Sequence, residues 1–304
     1  MQCFREAIHM QLENDLYGID KRFIIEAGHI INSGTLNNIA GLSEHIRYVS
    51  IKDTRLMNDL IQAFKDKRYT NIFYPPETNL KIIRHIRRIK MPKNVLSELA
   101  HMKKVMPDTY HHVLIIAVIA AKTSLEDSLK NKYATDITIR LSLFHDLGKS
   151  RLPLRILNKR SPLTREERRI LRTHPLIGYV LLHYYFGKYH KRYDFSSFQH
   201  HERLDGSGYP KGIKRLNKYS HLLGVVDTLD ALISERPYRK KPFTLRSAID
   251  LLLDESEKGR FNKGLVHTLI RYARKEGPGT KLIIAAKGRD KEPAGNCYGK
   301  TAAS

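Results

Sequence analysis

The feature that most constrains the fold is the placement of histidines and aspartates at the ends of apolar runs. His112 opens the run from Val113 to Ala121, and the run from Ile137 to Phe144 ends directly before His145-Asp146. Polar side chains at helix ends can converge on the interior of a helical bundle, where metal sites in helical proteins are built. The positions that share this placement are His112, His145, Asp146, His174, His200, His201 and Asp227. The pattern therefore predicts a helical bundle with a buried metal site.

The segment from His200 to Pro210 is the most distinctive part of the chain and reads His-His-Glu-Arg-Leu-Asp-Gly-Ser-Gly-Tyr-Pro. It joins two imidazoles to a loop whose glycines permit close approach of the backbone. A single His-His pair is most often two ordinary histidines. Here the pair occurs in the same chain as five other candidate ligands. Imidazoles and carboxylates without thiolates favour iron, manganese or zinc in open, catalytic coordination. Cys3 and Cys297 lie near opposite ends of the chain and are not expected to be ligands.

The order of these motifs resembles the HD-GYP family. The resemblance rests on His112, His145-Asp146-Leu147-Gly148-Lys149, His174, the segment from His200 to Pro210, Val226-Asp227-x-x-Asp230-Ala231-Leu232 and Arg236-Pro237-Tyr238-Arg239. Members of that family are bacterial signalling phosphodiesterases that hydrolyse cyclic di-GMP on a two- or three-metal centre, commonly of iron or manganese. The resemblance covers about residues 93–275 and implies an all-helical HD-type bundle.

Carried over to this chain, the resemblance implies a set of metal ligands in which Asp146 bridges two ions. That set is His145, Asp146, His174, His200, His201 and Asp227, and His112 completes the site. Family members with three metals have a glutamate four residues before the histidine that corresponds to His112. This chain has Asp108 there, and its shorter carboxylate makes it the weakest ligand candidate and leaves a third metal open.

The implied reaction is the opening of a cyclic dinucleotide by in-line attack on one phosphate. Two metals about 3.5–4 Å apart activate water and stabilise the developing negative charge. The resemblance makes Asp146 and Lys149 catalytic. Lys149, Arg236 and Arg239 are expected to hold phosphate oxygens, and Tyr209 is expected to stack on a guanine or to donate a hydrogen bond to a phosphate.

Neighbouring polar residues are expected to support the site rather than to bind metal. Glu202, Asp205 and Asp230 would fix imidazole tautomers or anchor loops. The sequence from Thr164 to Glu167 fits a capping box that opens a helix. The arginines between residues 151 and 172 are expected on solvated surfaces.

The length of 304 residues exceeds the roughly 100–200 residues of a usual domain and predicts two units. Residues 1–92 are expected to form a regulatory or sensory α/β unit, with β-like runs at 23–25 and 71–74 and a helix-like stretch at 55–67. Residues 93–278 are expected to form the HD-GYP phosphohydrolase domain, and residues 279–304 a flexible tail. The predicted fold class is therefore mainly α, an all-helical HD-type bundle with a smaller N-terminal α/β domain.

Charge is distributed unevenly along the chain. Residues 1–108 hold 17 Lys and Arg against 12 Asp and Glu, and residues 109–304 hold 37 against 19. Such an excess steers anionic substrates, but it equally attracts nucleic acids. Few aromatic residues interleave with the basic ones, so no dedicated nucleic-acid site is expected. No apolar run approaches the ~20 residues that a membrane helix needs, and no signal-peptide pattern opens the chain. We therefore expect no membrane association and a cytoplasmic location.

The leading interpretation is a metal-dependent phosphodiesterase of cyclic di-GMP with two divalent ions, most readily iron, with manganese second. One alternative is an HD phosphohydrolase of another nucleotide or phosphodiester. It would be favoured if the segment near Tyr219, about two residues shorter than the family pattern, closes the pocket to a large dinucleotide. The other alternative is a weakly active, metal-bound cyclic di-GMP sensor or adaptor whose Gly208-Tyr209-Pro210 loop contacts signalling proteins.

Overall fold

The computed structural model describes residues 10–43, 45–126, 132–187, 195–235 and 241–274. Its described part is mainly helical, and its short two-stranded sheets lie within residues 10–92. The predicted fold class, an all-helical bundle with a smaller N-terminal α/β part, is confirmed. None of the described helices is both long and apolar enough to cross a bilayer.

Residues 10–92 combine antiparallel strand pairs with short helices. The pairs are β1 (Met10–Gln11) with β4 (Ile30–Ile31), β2 (Leu16–Tyr17) with β3 (Phe23–Ile25), and β5 (Tyr48–Ser50) with β6 (Lys90–Pro92). The helices are α1 (Ser33–Gly41), α2 (Arg55–Ala63) and α3 (Pro76–Arg87), and 3-10 turns cover Ile51–Asp53 and Lys67–Tyr69. The strand expected at 23–25 is present, and the helix expected at 55–67 is present but ends at Ala63.

The run from Asn71 to Tyr74 is a turn, so the strand expected there was wrong. Its backbone bonds are local, since Tyr74 N donates to Asn71 O and Phe73 N donates to Tyr69 O. Two prolines follow directly, and a proline lacks the N–H that a strand ladder needs. From this turn, Ile72 and Phe73 are buried in the core, whereas Tyr74 is exposed.

The helical part begins at residue 93. Its helices are α4 (Lys93–Val105), α5 (Pro107–Glu126), α6 (Lys132–Phe144), α7 (Leu154–Leu157), α8 (Arg165–Leu171), α9 (His174–Phe186), α10 (Phe195–Gln199), α11 (Lys218–Ile233), α12 (Leu245–Glu257) and α13 (Lys263–Ala273), with a 3-10 turn at Leu147–Arg151. Every residue of α9 is buried. A helix that is apolar on all sides is buried in the centre of a bundle. Helix α9 therefore holds its first residue, the predicted ligand His174, in the interior of the protein.

Helix starts follow the expected capping chemistry. Thr164 and Glu167 form the predicted capping box at the start of α8. Asn217 and Asn262 cap α11 and α13 through their side-chain oxygens. These caps fix where α11, which carries Asp227, begins.

A single hydrophobic core joins the N-terminal residues to the helical part. Helix α1 packs on α9, and α2 packs on α5. Leu60 and Tyr69 belong to the same buried cluster as Val113 and Leu181. The division after residue 92 stays a prediction, and the whole of the predicted 279–304 tail lies outside the described residues, which end at residue 274.

Candidate metal centre

Several helix ends and the interior of α11 bring the predicted ligands to one buried point. His112 lies near the start of α5, His145 and Asp146 follow α6, and His174 begins α9. His200 and His201 follow α10, and Asp227 lies within α11. All seven side chains are buried. The structure thus brings together positions that are up to 115 residues apart in the chain.

The ligand atoms form two groups that share Asp146. Those of Asp146, His174, His200 and His201 lie within 4.8 Å of one another, as do those of His112, His145 and Asp146. Oδ1 of Asp146 is 3.3 Å from Nε2 of His174, and its Oδ2 is 3.6 Å from Nε2 of His112. Asp146 therefore occupies the position that a bridging carboxylate requires.

Asp227 lies at the edge of these groups. Its Oδ1 is 3.1 Å from Nε2 of His112, and its Oδ2 is 3.6 Å from Nδ1 of His201. The carboxylate therefore faces one histidine of each group.

Backbone carbonyls fix the tautomers of three of the histidines. Nδ1 of His145, His174 and His200 each lies 2.6–2.7 Å from the carbonyl oxygen three residues earlier. A carbonyl only accepts hydrogen bonds, so Nδ1 carries the hydrogen and the neutral ring presents a lone pair at Nε2. The Nε2 atoms of His174 and His200 face one another at 3.3 Å. Two facing lone pairs are unfavourable without a cation.

Some polar atoms at this point have no hydrogen-bond partner among the described residues. They are Nε2 of His112, Nε2 of His145 and Oδ1 of Asp146. Buried polar atoms without partners are rare in folded proteins because each costs free energy. Neutral imidazoles and carboxylates are suitable donors for a divalent transition metal. The residues present therefore fit the metals that the family resemblance implies.

Electrostatics keep five of these side chains in the forms that bind metal, whereas Asp230 and Asp227 outweigh burial and raise the pKa of His112. Burial lowers the pKa of His145, His200 and His201, which keeps their rings neutral at neutral pH. Burial alone would raise the pKa of the Asp146 carboxyl, but Lys149 and the neighbouring histidines hold that pKa well below its usual range. The pKa of Asp227 is also lowered, because the nearby His112, His201 and His145 outweigh burial.

Lys149 lies beside the shared carboxylate. Its Nζ is 2.6 Å from Oδ2 of Asp146, and 17% of its side chain is exposed. Gly148 makes this placement possible, because a Cβ at residue 148 would lie 2.0 Å from the carbonyl oxygen of His174. The 3-10 turn at Leu147–Arg151 can therefore pack against the start of α9 with Lys149 next to Asp146.

Tyr209 contacts the centre from the loop that follows α10. Its ring stacks on His201, with centroids 4.5 Å apart and an interplanar angle of 24°. The guanidinium of Arg172 lies 5.1 Å from the centroid of the same ring. Burial raises the pKa of Tyr209 well above its usual range, so the phenol keeps its proton and can donate.

Two carboxylates anchor this loop, as expected. Glu202 accepts hydrogen bonds from the backbone N–H of Lys211 and Ile213 at 2.7 and 2.9 Å. Asp205 accepts from the backbone N–H of Ser207 at 2.9 Å and from Arg260 at 3.2 Å. The loop that carries Tyr209 is therefore held at both of its ends.

The structure does not bring every predicted residue to the centre. Asp108 is exposed at the start of α5 and belongs to neither group of ligand atoms. Arg236 and Arg239 lie outside the described residues.

The expectation that the arginines of residues 151–172 are solvated was wrong at Arg151, whereas Arg172 is exposed as expected but also contacts an aromatic ring. Arg151 forms an ion pair with the buried Glu98, and Arg172 lies over Tyr209. Arg172 could have been noticed because it stands two residues before His174, where α8 ends and the ligand helix begins. It adds a cation next to the candidate metal centre.

Sequence reasoning also missed Tyr69, which supports the centre from the N-terminal part. Nδ1 of His112 donates to Asp230, and the hydroxyl of Tyr69 donates to the same carboxylate. Asp230 fixes an imidazole tautomer, as expected. No motif marks Tyr69, and only the fold reveals its position.

The HD domain family model matches residues 91–265, which include all of the predicted ligands. The chain belongs to the HD domain family. This HD domain protein is 36% identical over 130 residues to the cyclic di-GMP phosphodiesterase response regulator RpfG of Xanthomonas campestris, a match that covers 42% of this chain and 34% of the relative. It is 34% identical over 157 residues to a cyclic di-GMP phosphodiesterase of Thermotoga maritima, covering 51% of this chain and 41% of the relative.

The HD domain protein is also 30% identical over 131 residues to the 3'3'-cGAMP-specific phosphodiesterase 1 of Vibrio cholerae, covering 42% of this chain and 30% of the relative. The chain spans less than half the length of each of these relatives. The family expected from the motifs is confirmed.

Proposed function

We propose that this chain is a metal-dependent phosphodiesterase that hydrolyses cyclic di-GMP. The observation that carries the proposal is the position of Asp146 between two groups of buried ligand atoms. Membership of the HD domain family supports it, and so do relatives that are named cyclic di-GMP phosphodiesterases.

Two divalent ions would be held by the two groups of side chains. One ion would be held by Asp146, His174, His200 and His201, the other by Asp146, His112 and His145, and Asp227 faces both groups. Iron is the first candidate and manganese the second, as the family resemblance implies, and imidazole and carboxylate donors without a thiolate are compatible with both. When bound, a pair of such ions lowers the pKa of water and stabilises the attacking and leaving oxygens. Asp108 is exposed outside both groups, so a third ion is not part of the proposal.

The reaction adds one water molecule across one phosphodiester bond. The oxygen of the water bonds to phosphorus, the bond between phosphorus and one ribose oxygen breaks, and that ribose oxygen takes up a proton. The product of the first step is a linear dinucleotide with a terminal phosphate. This step concentrates negative charge on the phosphate oxygens, so it requires cations that face the substrate.

The side chains around the centre can supply these contacts. Lys149 is partly exposed, and its ammonium lies next to Asp146, where a phosphate would be bound. Arg172 offers a second cation, and the phenol of Tyr209 can donate to a phosphate or a base. Arg236 and Arg239 stay proposed phosphate contacts. Residues 109–304 contain 37 basic and 19 acidic residues, and this excess of positive charge favours an anionic substrate.

A second cyclic dinucleotide is a candidate substrate. One relative is named a 3'3'-cGAMP-specific phosphodiesterase, and the two dinucleotides share the same phosphodiester ring and differ in one base. The metal centre acts on the phosphate, so the contacts to the bases determine which dinucleotide is preferred. Turnover of both compounds by the same preparation will show the preference.

Metal content and turnover on one anaerobically purified sample test the proposal. We expect about two iron or manganese ions per chain and the appearance of linear dinucleotide or GMP from cyclic di-GMP. Exposed Glu166, paired with Arg169, offers the control variant Glu166→Ala, which should match the wild type. A loaded centre without turnover of either cyclic dinucleotide would contradict the proposal and favour another phosphodiester or an adaptor role.

A further inference from the structure

A hydrogen-bonded chain joins the N-terminal part of the molecule to a proposed metal ligand. Tyr69, in the 3-10 turn at Lys67–Tyr69, is completely buried. Its hydroxyl donates to Oδ1 of Asp230, and Oδ2 of Asp230 accepts from Nδ1 of His112. Tyr69 precedes His112 by 43 residues, and no ligand motif contains it.

The same turn holds Asp230 by a second route. Ser234 Oγ donates to Oδ1 of Asp230 at 2.9 Å, and Nη1 of Arg68 donates to Ser234 Oγ at 2.6 Å. Arg68 is itself fixed by Asp66, with Nη2 and Oδ2 2.6 Å apart. Consecutive residues of one turn, Arg68 and Tyr69, therefore reach the carboxylate that supports His112.

This carboxylate depends on its donors because it is almost fully buried, with 1% of its side chain exposed. Transfer of a carboxylate from water into a protein interior is costly unless hydrogen bonds satisfy its oxygens. Tyr69 and Ser234 satisfy Oδ1, which leaves Oδ2 directed at His112. The Nε2 atom on the opposite side of the His112 ring then faces Asp227 and Asp146.

We propose that Tyr69 is a positioning residue for the metal centre, acting through Asp230 on the orientation of His112. The inference rests on the proposed function, because it requires His112 to bind an ion. Carboxylates that orient a ligand histidine typically contribute 10–100-fold to metal affinity. Tyr69 lies one hydrogen bond further out, so its contribution is smaller. The metal centre then depends on how residues 10–92 pack on the helices, as well as on the helices themselves.

The test uses the full chain and Mn²⁺ as the probe, titrated against a competing chelator. Tyr69→Phe keeps the ring and removes the hydroxyl. We expect its weaker Mn²⁺ site to bind roughly three- to tenfold less tightly than that of the wild type, the usual range for the loss of one buried hydrogen bond. The electron paramagnetic resonance signal of the bound Mn²⁺ should also change, because the orientation of one ligand ring changes.

Tyr185→Phe is the matched control. Tyr185 is also buried, and its hydroxyl donates a hydrogen bond to the carboxylate of Glu98. The same hydroxyl accepts a hydrogen bond from the backbone N–H of Ile19, in the N-terminal part, at 2.8 Å. It has no hydrogen-bonded route to a proposed ligand in the described structure. We expect Tyr185→Phe to lower the unfolding temperature and to leave both the Mn²⁺ affinity and the resonance signal unchanged. An equal loss of affinity in both variants would overturn the inference.

A double-variant cycle shows whether Tyr69 acts through Asp230. Asp230→Asn should weaken Mn²⁺ binding by about 10–100-fold. Adding Tyr69→Phe to it should weaken binding no further, because residues that act as a unit are not additive. Ser234→Ala, which removes another donor to Asp230, should shift the affinity in the same direction and serves if Tyr69→Phe does not fold.

The outcomes separate this inference from the proposed function. Two bound ions and turnover in the wild type, with unchanged Mn²⁺ affinity in Tyr69→Phe, would overturn the inference alone. Losses that simply add in the double variant would also overturn it. Absence of Mn²⁺ binding in the wild type would overturn both proposals.

Discussion

Two buried clusters of charged side chains lie at the two ends of helix α9. They differ in how many of their polar atoms have hydrogen-bond partners. At its last turn, Tyr185 donates to Glu98, which also pairs with both terminal guanidinium nitrogens of Arg151. At its first residue, His174 belongs to the candidate metal centre. There, ring nitrogens of His112 and His145 and one carboxylate oxygen have no hydrogen-bond partner in the described structure.

The difference shows how burial of charge can serve stability in one place and binding in another. In the Glu98 cluster, one carboxylate meets one guanidinium and a phenol, so the charges are balanced and the donors are used. In the metal centre, several acceptors face one another, as at the 3.3 Å approach of the His174 and His200 nitrogens. Such an arrangement costs stability by itself and is consistent with the cations that we propose to bind there.

The largest effect is expected when the shared carboxylate is removed. Asp146→Ala should abolish binding of both ions and lower kcat by roughly a thousandfold or more, because metal ions contribute several kcal/mol to the transition state. Metal analysis and turnover of cyclic di-GMP on the same sample measure both. Retained activity would contradict the bridging assignment. Glu166→Ala, at an exposed ion pair, should leave both quantities unchanged.

The Glu98 cluster should respond in the opposite way. Glu98→Ala leaves Arg151 without its buried partner and should lower the free energy of unfolding by about 3–5 kcal/mol. The variant should still bind two ions when folded, because none of the described ligands contacts Glu98. Denaturant unfolding and metal analysis at low temperature test the two statements. Loss of metal with unchanged stability would reverse the roles of the two clusters.

Metal addition should stabilise only proteins that keep the shared carboxylate. A ligand that binds the folded state alone adds about 2.7 kcal/mol to the unfolding free energy at 100 times its dissociation constant. We expect such a gain per ion for the wild type and for Glu98→Ala, and none for Asp146→Ala. Unfolding of chelator-treated protein with and without added Mn²⁺ measures it. A gain in Asp146→Ala would place the ions elsewhere.

Much of this centre was predictable because its residues sit in motifs with fixed neighbours. His145 and Asp146 end an apolar run, and His200 and His201 open a glycine loop, so residue type and position already indicated ligands. The spacing also implied a helical bundle, since polar side chains at helix ends can converge only if the helices pack side by side.

The remainder was not predictable because it depends on contacts between distant residues. Tyr69 reaches Asp230 from a turn that no pattern marks. Arg151 and Arg172 read as ordinary surface arginines, yet one meets a buried carboxylate and the other an aromatic ring. The run at 71–74 suggested a strand, but Ile72 and Phe73 are buried from a turn and Tyr74 is exposed. Periodicity reports which residues are buried, and it does not report their partners.

A smaller effect is expected at the cation beside the metal centre. Lys149→Gln should lower kcat/KM by roughly 10–100-fold, the usual loss for one charge-assisted hydrogen bond. Both ions should stay bound, because Lys149 is not a ligand and only its ion pair with Asp146 is lost. Steady-state kinetics with metal analysis test this. Lys159→Gln, which removes a basic residue paired with Glu167, is the control and should behave as the wild type. An equal loss in both variants would mean that Lys149 contributes only through the overall positive charge of the protein.

The smallest effect is expected at Tyr209, and it contrasts with that of Tyr185. Tyr209→Phe keeps the ring stacked on His201 and removes the hydroxyl that we propose as a donor to the substrate. We expect kcat/KM to fall roughly two- to fivefold, as for one neutral hydrogen bond, with an unchanged unfolding temperature. Tyr185→Phe should lower the unfolding temperature and leave kcat/KM unchanged, because its hydroxyl serves Glu98. If both variants changed stability alone, the Tyr209 hydroxyl would be structural, and the loop would contact the substrate through its ring or not at all.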